Sequence, residues 1–149
     1  MKRFRLFPAV IVGLALAFGL TACSDDATGQ DKITQLKEEK GRVDVTSAEA
    51  EALIVDTDLV NTMVIFDIRT APEYQAGHIA NAYSVEVESP TFGTALTGFS
   101  KAAIYMVYGT DKDDTRAASA ADQMVAYGIE KVFVLTDGYD GWTGEKVVP

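Results

Sequence analysis

Short apolar runs alternate with stretches of helical spacing through most of this chain. Residues 63–68 (Met-Val-Ile-Phe-Asp-Ile) are apolar apart from Asp67, and residues 103–107 are apolar throughout. That is the pattern of strands covered on both faces of a parallel sheet. Residues 43–45 make a shorter β-rich run. Thr46 or Ser47 is placed to cap a helix reaching Ile54, with Glu49 and Glu51 near its positive end. After a connector at 56–61 and the 63–68 strand, Thr70 starts a short helix. Pro72 lies in its first turn, Glu73 takes the capping-box position and Gly77 ends it. Residues 115–127 again have helical spacing and stop at Gly128. Strands and helices in this order predict an α/β fold, with a mainly parallel, twisted sheet of about five strands and helices on both faces. Residues 64–67 and 103–107 are expected to be its most buried strands.

The stretch 101–128 is the centre of the reading, because a strand, a polar loop and a helix follow one another there. In an α/β domain this order gathers backbone N–H groups at a helix N-terminus, forming an anion cradle. The loop consists of Gly109, Thr110, Asp111, Lys112, Asp113, Asp114, Thr115 and Arg116. It offers hydroxyls without an obvious base and three carboxylates, but no thiol. Asp114 or Thr115 is the expected helix N-cap. Arg116 in the first helical turn opposes the helix dipole unless an anion answers it, and Asp111 is the expected internal partner. The aspartates lack the spacing and glycine of a calcium loop, so neither a metal nor a cofactor is expected.

The N-terminus reads as an address. Lys2, Arg3 and Arg5 precede an uncharged apolar run at 6–20, which is short for a membrane span and contains Pro8, Gly13 and Gly19. Leu20-Thr21-Ala22-Cys23 follows and resembles the lipobox of bacterial lipoproteins. The resemblance implies a signal peptide at 1–22, cleavage after Ala22 and acylation of Cys23. Such a protein is extracytoplasmic and held on a membrane, each buried CH₂ contributing roughly 0.8 kcal/mol. Residues 23–42 then turn polar and mixed in charge, as in a tether. Ile33 and Leu36 could support only a turn or two of helix, marginal by itself.

Composition narrows the classes. The 149 residues fit one domain of 43–149 plus this extension. Formal net charge is −9, and losing the three basic leader residues takes it to about −12. Such a surface repels phosphate backbones, so nucleic acid is excluded as a natural partner. One cysteine and one histidine exclude an intramolecular disulfide and a zinc cage.

Residues 66–79 (Phe-Asp-Ile-Arg-Thr-Ala-Pro-Glu-Tyr-Gln-Ala-Gly-His-Ile) resemble the early signature of the rhodanese domain, with Asp67, Arg69, Glu73 and His78 as its structural motif. Residues 132–142 are similar to its closing strand, Gly-Gly turn and Trp, with Asp137 in place of the first glycine and Trp142 at the end. The resemblance implies a sulfurtransferase fold whose loop carries a nucleophilic cysteine able to hold a persulfide. Counting back from Arg116 and Gly128 puts that position at Asp111, and counting forward from Tyr108 puts it at Gly109. Neither is a cysteine. His78 is expected to be structural, and Asp67 with Arg69 and Glu73 to fix the turn after the strand. Tyr139 and Trp142 are expected to pack, and 89–100 is expected to form either a lid over the loop or a surface connection.

The expectation from sequence is a membrane-anchored rhodanese-like lipoprotein, catalytically inactive, that serves as a binding or scaffolding module. Two alternatives stand beside it: a degenerate sulfurtransferase, and a small-anion binder using the loop amides and Arg116. The sequence names no protein partner.

Overall fold

The computed structural model describes residues 29–149; the leader, Cys23 and the first part of the expected tether lie outside the described residues. The chain runs through helix α1 (Gly29–Glu38), strand β1 (Gly41–Val45), helix α2 (Ser47–Val55), strand β2 (Met63–Asp67) and helix α3 (Ala71–Ala76). Strands β3 (His78–Ile79) and β4 (Tyr83–Ser84) come next, then α4 (Phe92–Ala95), β5 (Ile104–Tyr108), α5 (Arg116–Tyr127), β6 (Lys131–Leu135), α6 (Gly138–Gly141) and β7 (Lys146–Val147). Five strands form a parallel sheet in the order β1-β6-β5-β2-β4, while β3 and β7 pair antiparallel beside it.

The period-2 geometry of strands divides the core in two. Tyr105, Val107, Val132 and Val134 face α4 and α5, where Phe92, Leu96, Ala117, Ala120, Ala121 and Met124 are buried. Met106, Tyr108, Phe133 and Leu135 face the other way, onto α1, α2 and Trp142. Each such aliphatic or aromatic side chain contributes about 1.5–3 kcal/mol by leaving water. The caps follow the local sequence. Thr46 caps α2 with Glu49 in a capping box, and Gly128 (φ 104°) closes α5 in the left-handed conformation that glycine adopts without cost.

Two expectations need correction. The most buried strand is β6, every residue of which is buried, rather than β2 or β5; β5 is central and β2 is internal to the sheet. Lys131 hides this in the sequence. Its stem lies in the core and its ammonium reaches out to donate to the carbonyls of Leu36, at 3.2 Å, and Lys37. Burial draws its pKa below that of an ordinary lysine.

The second correction concerns the tether. Residues 29–38 form α1, whose Ile33 and Leu36 are buried against the sheet, with only 2% of Leu36 exposed. Lys37 bridges to Asp56 at 3.1 Å and Asp58 at 2.6 Å, beyond the end of α2. The segment is thus part of the domain, and β1 follows it directly along the edge of the sheet. The 89–100 segment packs Phe92 and Leu96 into the core as a short helix and a 3₁₀ turn.

Candidate functional site

The 109–116 loop lies where β5 ends and α5 begins, at the C-terminal edge of the sheet. The turn after β6 clamps it. Tyr139 N–H donates to Gly109 O at 2.9 Å, and Asp140 N–H donates to Thr110 O at 2.8 Å. Gly138 (φ 64°) presses so closely that a Cβ there would lie 2.6 Å from Asp111 N, so glycine is required. Asp137 instead turns toward α2, its carboxylate accepting the N–H of Ser47 at 2.6 Å.

Inside the loop a carboxylate fills the cradle. Asp114 Oδ2 accepts the N–H of Thr110 at 2.7 Å, while Oδ1 accepts the N–H of Arg116 at 2.9 Å, the capping bond of α5. Thr115 holds the N-cap position without a side-chain bond. The Arg116 guanidinium folds back to Asp114 Oδ2 at 2.8 Å and reaches across to Glu73 of α3, with Nη1 to Oε2 at 3.1 Å and Nη2 to Oε1 at 3.0 Å. Glu73 also accepts from the Thr70 N–H and hydroxyl and from the Thr110 hydroxyl. One residue thereby ties the cap of α3 to the loop.

The expected pairing of Arg116 with Asp111 is not formed. Asp111 Oδ1 accepts the N–H of Asp113 at 2.8 Å in a local turn, and Asp113 pairs with Lys112 on the surface. Asp114 and Glu73 take the guanidinium instead. In the turn after β2, Asp67 accepts the N–H of Arg69 and Glu73 accepts the N–H and hydroxyl of Thr70.

Electrostatics follow this geometry. Burial pushes the Asp114 carboxyl upward, but hydrogen bonds from Arg116 and from the Thr110 and Arg116 amides prevail and hold it at about 2. The Arg116 hydrogen bonds hold Glu73 well below the usual carboxylate range, and both carboxylates raise Arg116. Two carboxylates therefore surround one guanidinium, and an incoming anion meets net negative charge. A cleft of about 210 Å³ opens beside the loop between Asp44, Asp111, Asp114 and Thr136. A hollow of about 350 Å³ lies elsewhere, between Ile54, Leu59, Met63 and Tyr83. Among the described residues no group of His, Cys, Asp and Glu is arranged to hold a metal ion.

Beneath the loop is a second cluster. Asp67 and Arg69, 0% and 3% exposed, form a two-pronged pair at 2.6 and 2.9 Å. Arg69 also donates to Gly77 O and stacks on the Tyr139 ring at 4.2 Å. The Tyr108 hydroxyl donates to Asp67 at 2.7 Å and accepts the Ile79 N–H, and burial with that carboxylate raises its pKa far above a free phenol. Among the described residues no buried side-chain nitrogen or oxygen lacks a partner, and these bonds fasten β2, β3 and β5 together. His78 stacks on Tyr74 at 3.9 Å with its Nδ1 3.1 Å from Tyr74 O, and Trp142 Nε1 donates to Glu145 O. Sequence reasoning missed Tyr108, although a tyrosine ending an apolar strand calls for a buried partner to its hydroxyl.

Comparison with known proteins assigns this architecture. A family model for the rhodanese-like domain matches residues 46–145. The chain belongs to the rhodanese-like domain family. It is 28% identical over 106 residues to the uncharacterized protein YibN of Escherichia coli K12, covering 69% of this chain and 68% of that one. The rhodanese-like domain protein of Staphylococcus aureus has a crystal structure 25% identical, with a TM-score of 0.59 over 71% of this chain and 97% of that chain. The rhodanese-like domain of the Alr3790 protein from Anabaena, solved by solution NMR, shares the fold at 19% identity and a TM-score of 0.60, over 71% and 79% of the two chains. The matched domain, residues 46–145, contains no cysteine. A side chain at Gly109, one of the two positions counted for the family's nucleophile, would meet Asp114 Oδ2 at 2.5 Å.

Proposed function

We propose that this rhodanese-like protein is an extracytoplasmic lipoprotein, anchored through acyl chains on Cys23, whose domain does not transfer sulfur and acts as a binding or scaffolding module. The observation that carries the reading is the Asp114 carboxylate, seated on the Thr110 amide of a loop without a thiol. Sulfur-to-sulfur transfer needs a thiolate stabilised by such amides. Here the amide already holds an internal anion, Arg116 is neutralised twice over, and the hydroxyls of Thr110 and Thr115 cannot form a persulfide. The charged leader, uncharged apolar run and Leu-Thr-Ala-Cys sequence support the anchor. Two measurements test the reading. Purified protein should transfer no sulfane sulfur from thiosulfate to cyanide, and turnover above the uncatalysed rate would overturn the inactivity. The wild type should incorporate labelled palmitate and Cys23→Ser should not, so equal labelling of both would overturn the anchor.

A further inference from the structure

The direction of α1 places the anchor. Lys37 near its C-terminus reaches Asp56 and Asp58 beyond the end of α2, and its last carbonyls receive Lys131 from the start of β6. Lys32 near its N-terminus lies 3.7 Å from Glu49 in the first turn of α2. That turn stands at the C-terminal edge of the sheet, for Ser47 N–H binds Asp137, and Gly138 next to it packs on Asp111. Helix α1 thus begins at the loop end of the domain and runs toward the far end. Between Cys23 and Gly29 stand five residues, which limits the span to about 20 Å at 3.3–3.6 Å per residue.

We propose that the domain is tethered by its loop end, so that the 109–116 loop faces the bilayer. This rests on the lipoprotein reading and adds to it which surface the anchor presents. The orientation comes from the connection of the chain and needs no attraction to lipid. An outward-facing loop would require the spacer to run fully extended back along the roughly 15 Å of α1 and past the far end, using its whole reach. The loop end is accordingly membrane-proximal, and the opposite end, with Thr57 beyond α2, points into solvent.

The test uses the full processed chain, in which acylation blocks the Cys23 thiol and leaves an introduced cysteine free for a fluorophore. Asp113→Cys labels the loop end, where the native side chain is 81% exposed, and Thr57→Cys labels the far end. In phosphatidylcholine vesicles carrying a rhodamine-labelled lipid, energy transfer from position 113 should be several-fold stronger than from position 57. A flexible Gly/Ser insertion between residues 26 and 27 should reduce the contrast. Equal transfer, or stronger transfer from position 57, in protein that co-floats with the vesicles overturns the orientation alone. Protein that fails to co-float overturns the anchor and the orientation with it.

Discussion

Asp114 Oδ2 accepts the backbone N–H of Thr110 at 2.7 Å, across the mouth of the loop that joins β5 to α5. A side chain from the end of the loop therefore satisfies an amide from its beginning. Arg116 is held by the same carboxylate, so the closed loop and the neutralised guanidinium are one arrangement. Asp114→Ala should release both at once. The expected outcome is a loss of about 1–3 kcal/mol, from the orphaned amide and the half-paired arginine, together with sulfate-dependent thermal stabilisation that wild type lacks. Asp111→Ala should show no such gain, because its carboxylate holds the Asp113 turn rather than the Thr110 amide or Arg116. A thermal-shift titration of the three proteins decides between them.

The space at Gly109 makes a second prediction. Its missing Cβ leaves room that the Asp114 carboxylate occupies. In a Cys23→Ser background, Gly109→Cys alone should destabilise the fold, whereas Gly109→Cys with Asp114→Ala should regain stability. The thiol of the double variant would stand beside a released amide and Arg116, which favours thiolate. Iodoacetamide alkylation followed against pH should place its pKa below the free-cysteine value of about 8.5. A value at or above that figure would show that the loop does not reshape into a cradle.

The parts of the fold legible in the sequence were those decided locally. The apolar runs of β2 and β5, the Thr46 and Thr70 caps and the Gly128 stop depend on neighbours within a few residues, and they lie where the pattern places them. Helix α1 was not legible, because two buried side chains, Ile33 and Leu36, give little stability until the sheet covers them. Nor could spacing choose among Asp111, Asp113 and Asp114 as the partner of Arg116. A local turn spends Asp111 on the Asp113 amide and swings Asp114 inward, while Glu73 arrives from a helix 43 residues away. The acidic, thiol-free character of the loop was plain; its wiring was a tertiary property.

The docking of α1 makes its own prediction. Leu36→Ala should cost about 2–5 kcal/mol, as a fully buried leucine does. Gln35→Ala, next along the helix on its exposed side, should be neutral. Urea unfolding of the domain distinguishes a structural helix from a tether, since equal midpoints for Leu36→Ala and wild type would mean that 29–38 is not part of the cooperative unit.

The Asp67–Arg69 pair should matter more than any surface bridge. Arg69→Met strands a carboxylate that is 0% exposed, and removing one partner of a buried pair costs about 3–5 kcal/mol. Arg69→Lys should rescue little, because it loses the fork that meets both Asp67 oxygens and Gly77 O. Tyr108→Phe should cost about 1–3 kcal/mol through the unpaired Ile79 N–H. Denaturant midpoints for the three variants give the order directly.

The pH response of the loop follows from the sign of the Asp114 shift. Its carboxyl is held at about 2 in the folded chain against an ordinary value of 3.8, so the folded state binds this proton less readily than the unfolded state does. The stabilisation is therefore present in full above the unfolded value and is lost as pH falls through the interval toward about 2. Glu73, also depressed by Arg116, acts in the same direction. The Thr110 amide reports it, because its N–H bonds to the titrating carboxylate. Its NMR shift should move with a midpoint near 2, and a midpoint near 4 would mean that the loop bond is not maintained in solution. Arg116→Gln should raise that midpoint, since burial, the largest influence on Asp114, opposes ionisation and is outweighed only by the guanidinium and the Thr110 and Arg116 amides together. An unchanged midpoint in Arg116→Gln would assign the depression to the backbone amides of Thr110 and Arg116 alone.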